Sequence, residues 1–335
     1  MLAALPLAVT PIAAPHAPRR IRVQSADDLR RALRVADDAP LALDASGLDR
    51  VLYLDRARGL IEVQPALRWQ SLAAYLGTHD AAFCGLADDA SFGECVGDAV
   101  ASNAPGPDGR PVVAHLESLT LVTPDGELRR ASRSVNAELF ALAVGGQALF
   151  GVLYSVTLRL ATLRASVADA VRTAQLELAQ AAPGRPIEAQ LLVPPGRLDE
   201  LLAQVRIRAE EWRLPLIGVE ARRILAEDET ILRWAAREYA MLRVQLVAPS
   251  TLGGCVRATQ VQRALIDLAI AHGGAFPIAS TRDATRAQLD ACYPNLGAFF
   301  TEKRRYDPLE RLQNAWYRHH RTLMRHEPCV ARWSA

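Results

Sequence analysis

The chain of 335 residues has a single lysine, Lys303, and hardly any net charge: Lys plus Arg number 39 and Asp plus Glu 37, a formal balance of +2. It has no basic tract with interleaved aromatics, which argues against nucleic acid as the main partner. Its arginine-for-lysine bias is compositional, and it makes Lys303 conspicuous. The five cysteines (Cys84, Cys95, Cys255, Cys292, Cys329) are odd in number and show neither CxxC nor zinc-finger spacing. No structural metal is expected, and a reducing, cytoplasmic setting fits them. No apolar run is long enough to span a bilayer, so no membrane partner is expected. The first eighteen residues, MLAALPLAVTPIAAPHAP, are apolar, but Arg19 and Arg20 follow that stretch instead of preceding it. They read as a loose arm and not as a secretory signal.

The rest is ordinary globular material, half apolar and 23% charged, and too long for one core of common size. IRV is a short strand, and Ser25 with Asp28 opens the helix DDLRRALRVA. LALDA is a strand, VLYLD and LIEVQ form a hairpin, and WQSLAAYL is a short helix. From Ala87 to Gly109 the chain reads as a polar, glycine-bearing region. LESLTLVTPDGELRRAS is a hairpin turning at Pro124-Asp125-Gly126. A helix from Asn136 to Val144, a Gly145-Gly146 stop and the strand GVLYSVTLRL follow. Beyond Leu160 come strands EAQLLV, LIGVEA and MLRVQLVA, the last with Leu242, Val244 and Leu246 alternating. Helices RLDELLAQVRIRAEEW and VQRALIDLAIAH accompany them, and the last sixty residues are helical. The expected class is α+β with two lobes.

The segment LESLTLVTPDGELRRASRSVNAELFALAVGGQALFGVLYSVTLRL closely resembles FAD-linked oxidases of the vanillyl-alcohol-oxidase (PCMH) type. In that family a DG hairpin precedes an ELF helix, a GGxGxFG turn and a strand. Upstream, GLDRVLYLDRARGLIEVQPALRWQSL is similar to the family's flavin lobe. Downstream, YPNLGAFFTEKRRYDPLERLQNAWYRHH resembles the tail of the sugar-oxidase-like branch. The resemblance implies a flavin-type domain over residues 19–162 after the arm at 1–18. An inserted α+β substrate lobe spans 163–283, and a helical segment, 284–335, returns to the first domain.

In that family the FAD pyrophosphate lies in a glycine-rich loop, where successive N–H groups replace its lost hydration. Here the chain runs from Asp37-Asp38-Ala39-Pro40 directly into the next strand, and the glycines before Gly93 (Gly47, Gly59, Gly77, Gly85) are isolated. About twenty residues, one strand and one loop, are missing. Other departures accompany the gap. In CVGDAVASNAPGPDG, Asn103 and Gly106 match the family, but Asp98 replaces a glycine and Pro105 the histidine. Ala148 and Ala66 stand at glycine positions. The strand that would face the flavin reads AFPIASTRDAT, with no strong acid or base.

On this reading Asn103 and Gly106 are the cofactor contacts if flavin is retained. Arg282, which could hold an anion, Lys303, Asn314 and Trp316 are weak catalytic candidates. His115 and Glu117 are expected on one exposed face at the start of a strand. His319 and His320 are adjacent and cannot share a helix face as metal ligands do. Three functions stand. The first is a member without FAD, using the inter-lobe cleft for a small molecule as binder or non-redox catalyst. The second is an FAD-dependent oxidoreductase on an alcohol or sugar-like substrate, with non-covalent flavin. The third is a non-catalytic subunit with a protein partner.

Overall fold

A computed structural model describes residues 20–35, 42–87, 92–170, 174–177 and 184–325. The N-terminal arm, Cys329 and residues 37–40, where the missing loop is expected, lie outside the described residues. Strand β1 (Arg20–Arg22) pairs in parallel with β2 (Ala42–Asp44), and α1 (Ala26–Val35) lies between them in sequence. Ser25 Oγ accepts from the Asp28 amide at 3.1 Å, while the Asp28 carboxylate accepts from the Gln24 amide at 3.1 Å. The reciprocal cap thus closes one residue earlier than the S-x-x-D spacing predicts. Leu29 and Leu33, one turn apart, are buried.

Five strands form an antiparallel sheet in the order β3 (Val51–Asp55), β4 (Leu60–Val63), β7 (Val152–Arg159), β5 (Leu116–Val122), β6 (Leu128–Ser132). The late strand β7 is inserted between two hairpins, which is why Val156 and Leu158 are fully buried. Helices α2 (Trp69–Gly77), α3 (Val96–Ser102), α4 (Ala137–Ala143) and α5 (Leu160–Ala168) belong to this unit. Two of them depart from the sequence reading. Helix α3 falls in the polar, glycine-bearing region: Cys95 Sγ caps the Asp98 amide, and Val96, Ala99 and Val100 are buried. Helix α5 begins where β7 ends; Leu158 and Leu160 prolong the strand's alternation and hide the change of period.

A second antiparallel sheet runs β8 (Ala174–Glu177), β10 (Leu216–Ile224), β11 (Tyr239–Ala248), β9 (Arg185–Val193). Leu191, Leu242, Val244, Leu246 and Val219 share one buried face. Helices α6 (Leu198–Glu211) and α7 (Leu252–Ala271) pack on this sheet. Full burial of each such side chain contributes about 1.5–3 kcal/mol. The opposite face carries Gln190, Glu220, Arg222, Met241 and Arg243.

Helices α8 (Arg286–Cys292), α9 (Leu296–Tyr306) and α10 (Ala315–Arg325) complete the chain. Between α9 and α10 the chain returns to its beginning. Leu312 packs among Val23, Leu29, Leu33, Leu48 and Val122, and Arg311 donates to the Leu33 carbonyl at 3.0 Å. The class is α+β. Among the described residues no helix is long and apolar enough to cross a membrane.

Candidate ligand cleft between the two sheets

The link from β10 to β11 reaches across to the five-stranded unit and fixes the two sheets against each other. Its Glu227 accepts from the Thr230 and Glu229 amides, from Thr230 Oγ1 and from Asn103 Nδ2 at 3.2 Å. Asn103 Oδ1 accepts from the Val113 amide at 3.1 Å, and the Asn103 carbonyl from Trp234 Nε1 at 3.2 Å. Nearby, the Leu225 amide donates to the Gly109 carbonyl and the Ile231 amide to the Ala141 carbonyl. Arg133 joins the Leu116 and Val113 carbonyls to Glu229.

The clamp leaves a cleft of about 870 Å³ between the sheets, within the range of small-molecule sites. One wall is the polar face of the second sheet, with Gln190, Glu220, Arg222 and Arg243. The other is α3 and the turn after it, with Asp98, Ser102, Pro105 and Pro107. Pro277, Ala279 and Ser280 line it as well. Arg243 lies between Glu188 at 2.8 Å and Glu220 at 3.4 Å. The Glu188 hydrogen bond outweighs its partial burial and holds the guanidinium pKa above the ordinary value. Arg222 donates to the Gly106 carbonyl at 2.5 Å.

The residues that the sequence marks as departures from the oxidase pattern, Asp98, Pro105 and the AFPIAST segment, are therefore in the cleft wall. AFPIAST is not a strand: Ala275 makes an isolated bridge to Leu192, and the rest is loop. The residues nominated as functional stand elsewhere. Asn103 is fully buried, its amide engaged by Glu227 and Val113. Gly106 lies beneath the wall, where a Cβ would sit 2.6 Å from Phe92 Cζ. Arg282 is exposed outside the wall. Lys303 is buried against Asp307, which also accepts from the Arg311 and Leu312 amides. Burial lowers the Lys303 pKa, and the Asp307 charge partly offsets that. Asn314 caps α10 through the Tyr317 amide and donates to the Gln147 carbonyl at 2.7 Å. Trp316 packs on Phe300 and His320 and donates to the Ile278 carbonyl.

One expectation is overturned. His115 is fully buried, not exposed, because it ends a 3-10 turn (Val112–His115) before strand alternation begins at Leu116. Its ring meets Phe92 edge-on, and Nε2 lies 3.7 Å from Asp108. Burial alone would raise the Asp108 carboxyl; His115 and the Arg110 amide outweigh it and hold the pKa low.

The wall residues Glu220, Arg222, Arg243 and Gln190 escaped the sequence reading. The signal was present: LIGVEARRI carries Glu220 and Arg222, and MLRVQLVA carries Arg243 and Gln245, at alternate positions opposite their apolar set. Such residues on the open face of a sheet are candidates for ligand contact.

Residues 33–132 match a family model described as an FAD binding domain. That stretch is a little under a third of the chain, and it carries α2, α3, β5 and the cleft's α3 wall. A search of curated proteins returns no match. The match implies FAD, and the described residues can be tested for it. The cleft has room for a ring system; residues 37–40, where the family's pyrophosphate loop would lie, are outside the described residues, and the α3 wall offers no phosphate site in its place. The Val96 amide donates to Leu67, the Gly97 amide to Pro65 and the Asp98 amide to Cys95 Sγ, so the first turn of α3 offers no free donors there. Among the described residues the wall holds two glycines, Gly85 and Gly93, far from consecutive, and the Asp98 carboxylate faces the same space. A phosphate there would meet a like charge in place of a nest.

Proposed function

We propose that this chain is a flavin-oxidase relative that does not hold FAD in the usual way and uses the inter-sheet cleft for a small polar molecule, as a binder or a non-redox catalyst. The observation that supports it best is the α3 wall, with its amides engaged inside the chain and Asp98 where the related oxidases carry a glycine beside the flavin ring and ribityl chain. Loss of several charge-assisted hydrogen bonds, each worth roughly 1.5–3 kcal/mol, turns tight nucleotide binding into weak binding. What remains is a polar sheet face with Gln190, Glu220, Arg222 and Arg243, suited to orienting a hydrogen-bonding ligand.

The test is the visible spectrum of the purified protein. The proposal expects a colourless protein that added FAD neither colours nor stabilises. A flavin band with stoichiometric FAD released on denaturation overturns it. The second reading, an oxidoreductase with non-covalent FAD, draws on the match over residues 33–132 and on the turn after α4. There Gln147 and Ala148 take φ of 55° and 57° without being glycine. The same spectrum decides between them. The third reading, a non-catalytic partner subunit, predicts a change of oligomeric state on coexpression with its partner.

A further inference from the structure

The charged groups around the cleft differ in one respect: whether they already have a counter-charge. Arg243 has two, Glu188 and Glu220. Arg222 is engaged by the Gly106 carbonyl. Asp98 is exposed, and no cation faces its carboxylate among the described residues. Its polar neighbour is the thiol of Cys95, which burial and then that carboxylate push up to about 11. The cleft lining carries two carboxylates (Asp98, Glu220) and two guanidiniums (Arg222, Arg243), and Glu188 stands behind Arg243. An entering anion would have to compete with Glu188 and Glu220 for Arg243. An entering cation finds Asp98 with no cationic partner among the described residues.

We infer that the cleft takes an organic ammonium, a small aminated molecule whose cationic nitrogen is met by Asp98 while Gln190 and Ser280 serve its hydrogen-bonding groups. The inference rests on the cleft being free for a ligand other than FAD. The site is open to water, so the ion pair is of the exposed kind, worth up to about 1 kcal/mol, or roughly fivefold in affinity.

A matched pair of probes, benzylamine and benzoate, isolates the charge. Binding is read by NMR from the indole N–H of Trp234, whose ring lines the cleft, with the resonance assigned through Trp234→Phe. Benzylamine is expected to bind roughly fivefold tighter than benzoate at low ionic strength, and the preference shrinks with added salt. Asp98→Asn, at an exposed position, leaves the melting temperature unchanged and abolishes the preference. Benzoate binding as tightly as benzylamine, a preference that survives Asp98→Asn, or neither probe moving the Trp234 resonance overturns the inference. Failure of the parent reading looks different, because it is a flavin band in the untreated protein.

Discussion

Removing the charge of Asp307 while keeping its shape tests what the only lysine does. Lys303 and Asp307 are 0% and 1% exposed, and the carboxylate also accepts from the Arg311 and Leu312 amides. Asp307→Asn keeps one acceptor oxygen where the carboxylate gave each amide its own, and it leaves a buried ammonium without its counter-ion, a change that destabilises by about 3–5 kcal/mol. Unfolding entropy near 2.1 cal/mol/K per residue makes that about 4–7 °C in Tm for a chain of this length. Lys303→Met keeps the unbranched chain over the Tyr317 ring and leaves an Asp307 carboxylate still held by the Arg311 and Leu312 amides, so it should be milder than Asp307→Asn. The double variant Lys303→Met/Asp307→Asn should be more stable than Asp307→Asn alone, because no charge is then left unpaired. Urea titration of the four proteins measures the coupling. Additive single effects, or an Asp307→Asn loss under about 1 kcal/mol, would refute the assignment of Lys303 as a structural pin.

Ala148→Gly should stabilise by about 0.5–1 kcal/mol, since relief of the left-handed backbone exceeds the added chain entropy; a lowered Tm contradicts the turn geometry. Glu227→Ala leaves four donors without an acceptor and should cost about 3 kcal/mol, with new proteolytic cuts in the β10–β11 link as the local readout. Burial, with the nearby His319 and Arg282 charges, holds the His320 imidazole down at about 4, against about 6.5 in an unfolded chain. The unfolded state therefore takes up a proton first, so about 3 kcal/mol of stability present above pH 6.5 is lost as the pH falls to 4. His320→Phe keeps the stack on Trp316 and should remove that slope from denaturation curves measured between pH 4 and 7.

The strands were legible wherever alternation was clean: the β3–β4 and β5–β6 hairpins and the apolar face of β11 stand where their patterns put them. Helix α3 was not, because VGDAVAS is short and contains glycine, and its burial comes from partners distant in sequence. The candidate site was legible by subtraction. Asp98, Pro105 and AFPIAST marked the cleft as places where an expected residue type was lacking. The positive candidates lie outside the cleft lining for a physical reason. Asn103, Lys303, Asn314 and Trp316 share a polar or amphipathic chemistry that serves equally well to join helices and loops, and each is engaged in doing so. His115 was misplaced because strand alternation was extended one residue too far.

The clamp from Glu227 through Asn103 to Trp234 also fixes how a ligand can be admitted. With the two described walls tied at several backbone and side-chain points, the spacing between them is set before anything enters. Discrimination then resides in dissociation and not in a closing motion. It follows that solvent leaves only where the ligand itself displaces it. A ligand that fits the spacing of these described walls therefore enters and leaves without parting them.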